Sequence, residues 1–152
     1  MKRLKVYLDN CCYNRPYDDQ TQITVNLESL AKLRIQNEIR DHKIDLASSY
    51  ILIAENAANR FEGKRIDIKS FIDRYTQTYV SEISKAKVME IAEDIMKTGI
   101  KLMDACHVAC SIIAGCDYFI TTDRRLLRYN SDMVKIINPV NYVMEAEQEA
   151  EE

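Results

Sequence analysis

Four carboxylic acids stand where carboxylates are costly. Asp9 follows the apolar run Val6-Tyr7-Leu8, and Asp123 follows Tyr118-Phe119-Ile120-Thr121-Thr122. Glu55 interrupts Ile51-Leu52-Ile53-Ala54, and Asp104 lies between Leu102-Met103 and Ala105-Cys106-His107-Val108-Ala109. An ionised carboxylate in such company needs a helix N-terminus, a basic side chain or a cation. Taken singly, each has an ordinary reading: Asp9 as a loop acid, Asp123 as a helix cap, Asp104 as a first-turn acid, Glu55 as an exposed helix residue. Together they suggest one site. Clustered carboxylates raise one another's pKa unless a cation holds them. Hard oxygen donors suit Mg²⁺ or Mn²⁺. Such a metal activates water and stabilises the departing oxygen of a phosphodiester, and two metals about 4 Å apart divide those tasks.

Other chemistries compete poorly. Only two histidines are present, His42 and His107, and no Gly-x-Ser-x-Gly occurs. With three glycines in all, there is no phosphate-cradling loop. A phosphotransfer or phosphatase domain using Asp9 as nucleophile would want a second acid two residues on, where this chain has Cys11. The five cysteines include no Cys-x-x-Cys pair and read as reduced thiols. Cys106 and Cys110, with His107 beside them, form one i,i+4 pair, too little for zinc without a second pair.

The positioning elements follow from periodicity. Lys5 to Leu8, Lys43 to Ala47, Tyr118 to Thr121 and Val134 to Ile137 read as short strands. Helical spacing marks Thr21 to Arg40, a helix from Ser48 or Ser49 through Ala58, Ile66 to Tyr75, Ser84 to Thr98, Leu102 to Ala114 and Arg124 to Tyr129. The chain is expected to turn around Gly63, with Tyr79 to Ile83 as an extended link. Gly99 and Gly115 are placed as helix stops. Short apolar strands alternating with helices imply an α/β fold: a three-layer α/β/α sandwich with a mainly parallel, twisted sheet. Ligands bind such sheets beyond the carboxyl ends of the strands. Asp9 and Asp123 each end a strand, so parallel neighbours would bring both carboxylates to one edge.

The length of 152 residues suits one domain, expected over 1–144. Residues 145–152 carry five acids and no base, and are expected to be a disordered acidic tail. That tail more than accounts for the net charge of −3, leaving a body of 21 bases against 19 acids that neither favours nor excludes nucleic acid. The charged start, reaching Asp9, does not read as a signal peptide, and no apolar run nears the ~20 residues of a membrane span. A cytoplasmic location is expected.

Three segments resemble the PIN-domain nucleases, which include VapC-type toxins of toxin–antitoxin pairs. They are Val6-Tyr7-Leu8-Asp9-Asn10-Cys11-Cys12-Tyr13-Asn14-Arg15-Pro16, Ser48-Ser49-Tyr50-Ile51-Leu52-Ile53-Ala54-Glu55, and Asp104-Ala105-Cys106-His107-Val108-Ala109 continuing to Asp117-Tyr118-Phe119-Ile120-Thr121-Thr122-Asp123. The resemblance implies a PIN-like fold and an acidic pocket of Asp9, Glu55, Asp104 and Asp123 that binds Mg²⁺ or Mn²⁺ and cleaves RNA. It assigns Asp9 and Asp104 as principal metal ligands, Glu55 to metal or water, and Asp123 to a second or weaker position. Thr121 matches a supporting hydroxyl, and Asn10 stands where many relatives have Thr or Ser. Arg15, Arg124, Arg125 and Arg128 are candidate phosphate contacts, with a solvated face as the plainer reading. His107 reads as a packed or hydrogen-bonded helix residue. The implied partners are RNA, a neutralising antitoxin and a second copy of the chain; the apolar stripe of the 21–40 helix would serve as dimer face or as core. The alternative function is a PIN-fold module that binds RNA or protein without significant catalysis.

Overall fold

The computed structural model describes residues 3–151. The four strands expected from sequence are present: β1 (Lys5–Leu8), β2 (Asp45–Ser49), β4 (Tyr118–Ile120) and β5 (Lys135–Ile137). A fifth, β3 (Thr76–Val80), occupies ground where only a link over 79–83 was expected. The helices are α1 (Asn10–Asn14), α2 (Ile23–Arg40), α3 (Tyr50–Ala57), α4 (Glu62–Tyr75), α5 (Lys85–Met96), α6 (Leu102–Ile113), α7 (Arg124–Leu127) and α8 (Pro139–Glu151). Single 3-10 turns span Arg15–Tyr17 and Glu82–Ser84.

The sheet is parallel throughout, in the order β3-β2-β1-β4-β5. β1 and β4 are neighbours, with Leu8 opposite Ile120. Their alternating side chains divide between two cores. Tyr7, Ala47 and Phe119 face a layer formed by α5 and α6. Val6, Leu8, Leu46 and Ile120 face the opposite layer, with Ile35 and Ile39 of α2 and Ile68, Phe71 and Ile72 of α4. The architecture is thus an α/β/α sandwich, with its sheet buried on both faces as parallel sheets require.

Caps and stops set the helix positions. Ser49 Oγ accepts from Leu52 N at 3.2 Å and so caps α3 directly after β2. Gly99 and Gly115 end α5 and α6 at φ +100° and +73°, conformations that a Cβ disfavours.

Three features differ in detail from the sequence pattern. The turn expected around Gly63 falls at residues 58–61, and Gly63 itself lies in the first turn of α4, which begins four residues before Ile66. Residues 145–151 are helical, because α8 starts at Pro139, a favoured first helical position, and continues. Lys135 and Arg34 answer the charges of Glu145 and Glu147, which lets that acidic stretch keep helical form. The stripe of α2 is split: Ala31 and Ile35 are core, whereas Ile23, Leu27, Leu30 and Leu33 are exposed.

Candidate active site

β1 and β4 end side by side, and their carboxyl ends frame a cavity of about 390 Å³. Asp9, Glu55, Asp104 and Asp123 all line it, together with Asn10, Cys11, Asn14, Arg15 and Asp18. The four acids singled out in the sequence therefore meet, drawn from two strand ends and from α3 and α6.

Asp9 is the most firmly held. Its backbone N–H continues the β1–β4 ladder to Ile120 O at 3.0 Å. Its carboxylate caps α1, accepting from Asn10 N at 2.8 Å. Oδ2 accepts from Thr121 Oγ1 at 2.9 Å and from the Cys11 thiol at 3.4 Å. Thr121 Oγ1 in turn accepts from Asp123 N at 3.0 Å. Fully buried Thr121 thus ties the Asp9 carboxylate to the Asp123 backbone, consistent with its expected supporting position. Asp123 caps α7, accepting from Arg125 N at 2.8 Å.

Asp104 lies in the first turn of α6, as expected, where the helix dipole favours a negative charge. Even so, its carboxyl is pushed above the usual range, chiefly by burial and then by the charges of Asp9 and Asp123. That mutual repulsion is what a multivalent cation would relieve.

Glu55 leans on a network that sequence alone did not reveal. His107 Nε2, buried in α6, stands 3.3 Å from Glu55 Oε1, at an angle short of a full hydrogen bond. His107 Nδ1 bonds the Tyr7 hydroxyl at 2.8 Å, and that hydroxyl bonds Ser49 Oγ at 2.7 Å. Burial holds the Tyr7 phenol well above its ordinary value, so it stays protonated. Burial alone would lower the His107 pKa; contact with Glu55 and the charges of Asp9 and Asp104 outweigh it and raise the value. His107 is therefore hydrogen-bonded and packed, as its sequence context suggested. Its position also lets one ligand atom each from Asp9, Glu55 and His107 fall within 4.8 Å of one another. With Nδ1 engaged by Tyr7, the Nε2–H faces the carboxylate, which makes His107 an orienter of Glu55 more than a free ligand.

The other candidates divide. Asn10 lines the cavity, and its Oδ1 accepts from Asn14 Nδ2 at 3.2 Å. Arg15 also lines it but is tied down: its guanidinium reaches Thr122 Oγ1 at 2.9 Å, Asp18 at 3.1 Å and Glu28 at 3.4 Å. Arg124, Arg125 and Arg128 are exposed and lie outside the cavity lining, the solvated face that was the plainer expectation. Cys11 was missed as a site-lining residue. Cys106 and Cys110 are buried in the core beside α5 and form no metal cluster among the described residues.

The donor set fits a hard divalent cation: carboxylate oxygens in one open cavity, one of them held up in pKa by its neighbours. Asp9 and Glu55, whose carboxylate oxygens lie within 4.8 Å of each other, could hold it, with Asp104 and Asp123 lining the same cavity outside that close group. No helix among the described residues is long and apolar enough to cross a membrane.

No protein-family model and no curated protein matches the chain. Among solved structures, the chain is similar to one in the crystal structure of VapBC2 from Rickettsia felis bound to a DNA fragment from their promoter. The two share 15% identity and a TM-score of 0.51, over 89% of this chain and 98% of that one. At that identity the likeness is one of architecture: the chain carries an α/β, PIN-like fold.

Proposed function

We propose that the protein is a metal-dependent endoribonuclease that hydrolyses RNA phosphodiester bonds, acting as the toxin of a type II toxin–antitoxin pair in the cytoplasm. The observation that carries the chemistry is the convergence of Asp9, Glu55, Asp104 and Asp123 on one cavity at the ends of two adjacent parallel strands. Mg²⁺ or Mn²⁺ bound there supplies an activated water and charge stabilisation at the scissile phosphate.

The chain's residues have distinct tasks in this reading. Asp9, fixed by Asn10 N–H and Thr121, and Asp104, fixed by α6, are the principal cation ligands. Glu55, steadied by His107, accepts a proton from water or adds a ligand. Asp123, locked by its cap to α7, completes the second position. Asn10 and Thr121 position the carboxylates, while Arg15 in the cavity lining and the exposed Arg124 and Arg125 after Asp123 are the proposed phosphate contacts. A neutralising antitoxin and a second copy of the chain are the proposed partners. The similarity to a VapBC2 chain supports the first, and the exposed Ile23, Leu27 and Leu30 of α2 support the second.

Cleavage of an unstructured RNA with Mg²⁺ or Mn²⁺ tests the reading. Wild type is expected to cleave, EDTA to stop it, and Asp9→Asn and Asp104→Asn each to abolish it. If both variants cleave like wild type, the site is wrong. If wild type neither cleaves nor gains thermal stability with Mg²⁺ or Mn²⁺, the PIN-fold module that binds RNA or protein without catalysis is the better reading.

A further inference from the structure

Beside the acidic cavity lies a second opening, lined in common with it by Asn10, Asn14 and Glu55. Its far side is Asn59, Phe61 and Lys64. Phe61, the N-terminal flank of α4, is a large apolar ring left 57% exposed. Tyr17, on the 3-10 turn after α1, is 49% exposed. Lys64 joins the two rings, its Nζ 5.5 Å from the Tyr17 centroid and 5.6 Å from that of Phe61. Arg60 also lies against Phe61, with Cζ 5.2 Å from the centroid.

The Phe61 segment is held in place with respect to the carboxylates. Asn59 Oδ1 accepts from Phe61 N at 3.1 Å, and Asn59 Nδ2 donates to Asn14 Oδ1 at 3.3 Å. Asn14 Nδ2 donates to Asn10 O at 2.8 Å, directly after Asp9. Arg65 closes the turn by donating to Asn59 O at 3.0 Å. A chain of side-chain amides thus runs from the acidic cavity to Phe61.

An exposed ring flanked by cations in a groove continuous with a carboxylate site, with a second exposed ring joined to it through Lys64, supplies the parts of a single-strand platform: rings stack bases, and cations track the backbone. A paired base is already stacked in its helix and offers no free face, so the platform selects unpaired nucleotides. The basic groups also bring phosphates toward a cavity whose four acids would otherwise repel them.

We infer that Phe61 and Tyr17, with Arg60 and Lys64, form a stacking site for an unpaired nucleotide next to the cleaved linkage. This rests on the nuclease reading of the acidic cavity. Because every base has a π-face, the platform carries little base preference.

The chain contains no tryptophan, so Phe61→Trp places a lone indole at the platform, excited selectively at the red edge away from the nine tyrosines. An unstructured oligoribonucleotide, with EDTA present to keep it intact, is expected to quench that emission. The same strand annealed to its complement is expected to quench it far less. Phe61→Ala should weaken single-strand binding, read by fluorescence anisotropy, by roughly 5- to 150-fold. Lys64→Ala should weaken it and flatten its salt dependence. Phe61 is exposed and Lys64 half-buried, and an unchanged thermal melt verifies folding. No quenching, equal quenching by duplex, or wild-type affinity in Phe61→Ala overturns the inference. Cleavage and metal-induced stabilisation by wild type report separately on the acidic site, so loss of the platform and loss of the nuclease reading are distinguishable.

Discussion

Thr121→Val should loosen the site without changing its charge or outline. The hydroxyl is fully buried and makes two bonds at once, donating to Asp9 Oδ2 at 2.9 Å and accepting from Asp123 N at 3.0 Å. A hydrogen bond to an ionised carboxylate contributes roughly 1.5–3 kcal/mol, and one to a backbone N–H about 1 kcal/mol. Asp9 keeps its bond from Asn10 N, and the cavity lets water approach, so the total should fall in the lower part of the sum, about 2–3 kcal/mol. In a domain of this size that lowers Tm by roughly 4–12 °C. Thr121→Ser supplies the control: it keeps both bonds and loses one buried methyl, costing about 1 kcal/mol. Urea unfolding of the three proteins measures the difference. The cation affinity of the valine variant should fall too, because Asp9 loses its strongest side-chain restraint. A valine variant as stable as the serine variant would refute the tie between the strand ends.

Three further outcomes follow from the charges. Without metal, Asp104→Asn should melt above wild type at pH 7: the Asp104 carboxyl is raised in the fold by burial and by Asp9 and Asp123, so its ionised form opposes folding. That penalty is absent below the unfolded pKa and complete above the folded one, so melts in EDTA should show the gap shrinking as pH falls from 7 toward 4. Lys32 of α2 is 5% exposed and lowered to about 8, first by burial, with its Nζ over the Tyr13 ring at 5.5 Å. Lys32→Met should therefore stabilise the protein by roughly 2–3 kcal/mol at pH 7; the advantage should fade between about pH 8 and 10.5, where folding the neutral amine costs less, and a pH-independent difference in urea midpoint would count against it. Arg15→Ala strips Glu28, 6% exposed, of its cation and Thr122 of its donor, and should cost about 2–4 kcal/mol, whereas a mere substrate contact would leave unfolding unchanged.

Much of the frame is readable from local pattern. Lys5–Leu8 and Tyr118–Ile120 are short, apolar and sharply ended, so the positions of Asp9 and Asp123 at strand ends follow without coordinates. Asp104 is legible for the same reason, since helix starts favour acids. β3 is not: Thr76–Val80 is an edge strand whose outward residues are polar or half-exposed, and its pairing partner β2 lies far off in sequence. The helical acidic stretch after Met144 also escapes, because Arg34 and Lys135, which answer its charge, come from α2 and β5. Glu55 shows the limit for the site. Its place among apolar residues is visible, but the Tyr7–His107 support joins residues 100 positions apart and leaves no local signal.

The Thr121–Asp9 bond joins residues 112 positions apart. During synthesis, β4, Thr121 and Asp123 emerge more than a hundred residues after Asp9. A nascent or truncated polypeptide ending before β4 carries Asp9, Glu55 and Asp104 but lacks Asp123, and its Asp9 has neither the Thr121 hydroxyl nor the β4 ladder bond to hold it. In the proposed nuclease, the pocket would thus be assembled only once β4 and the residues after it have been made.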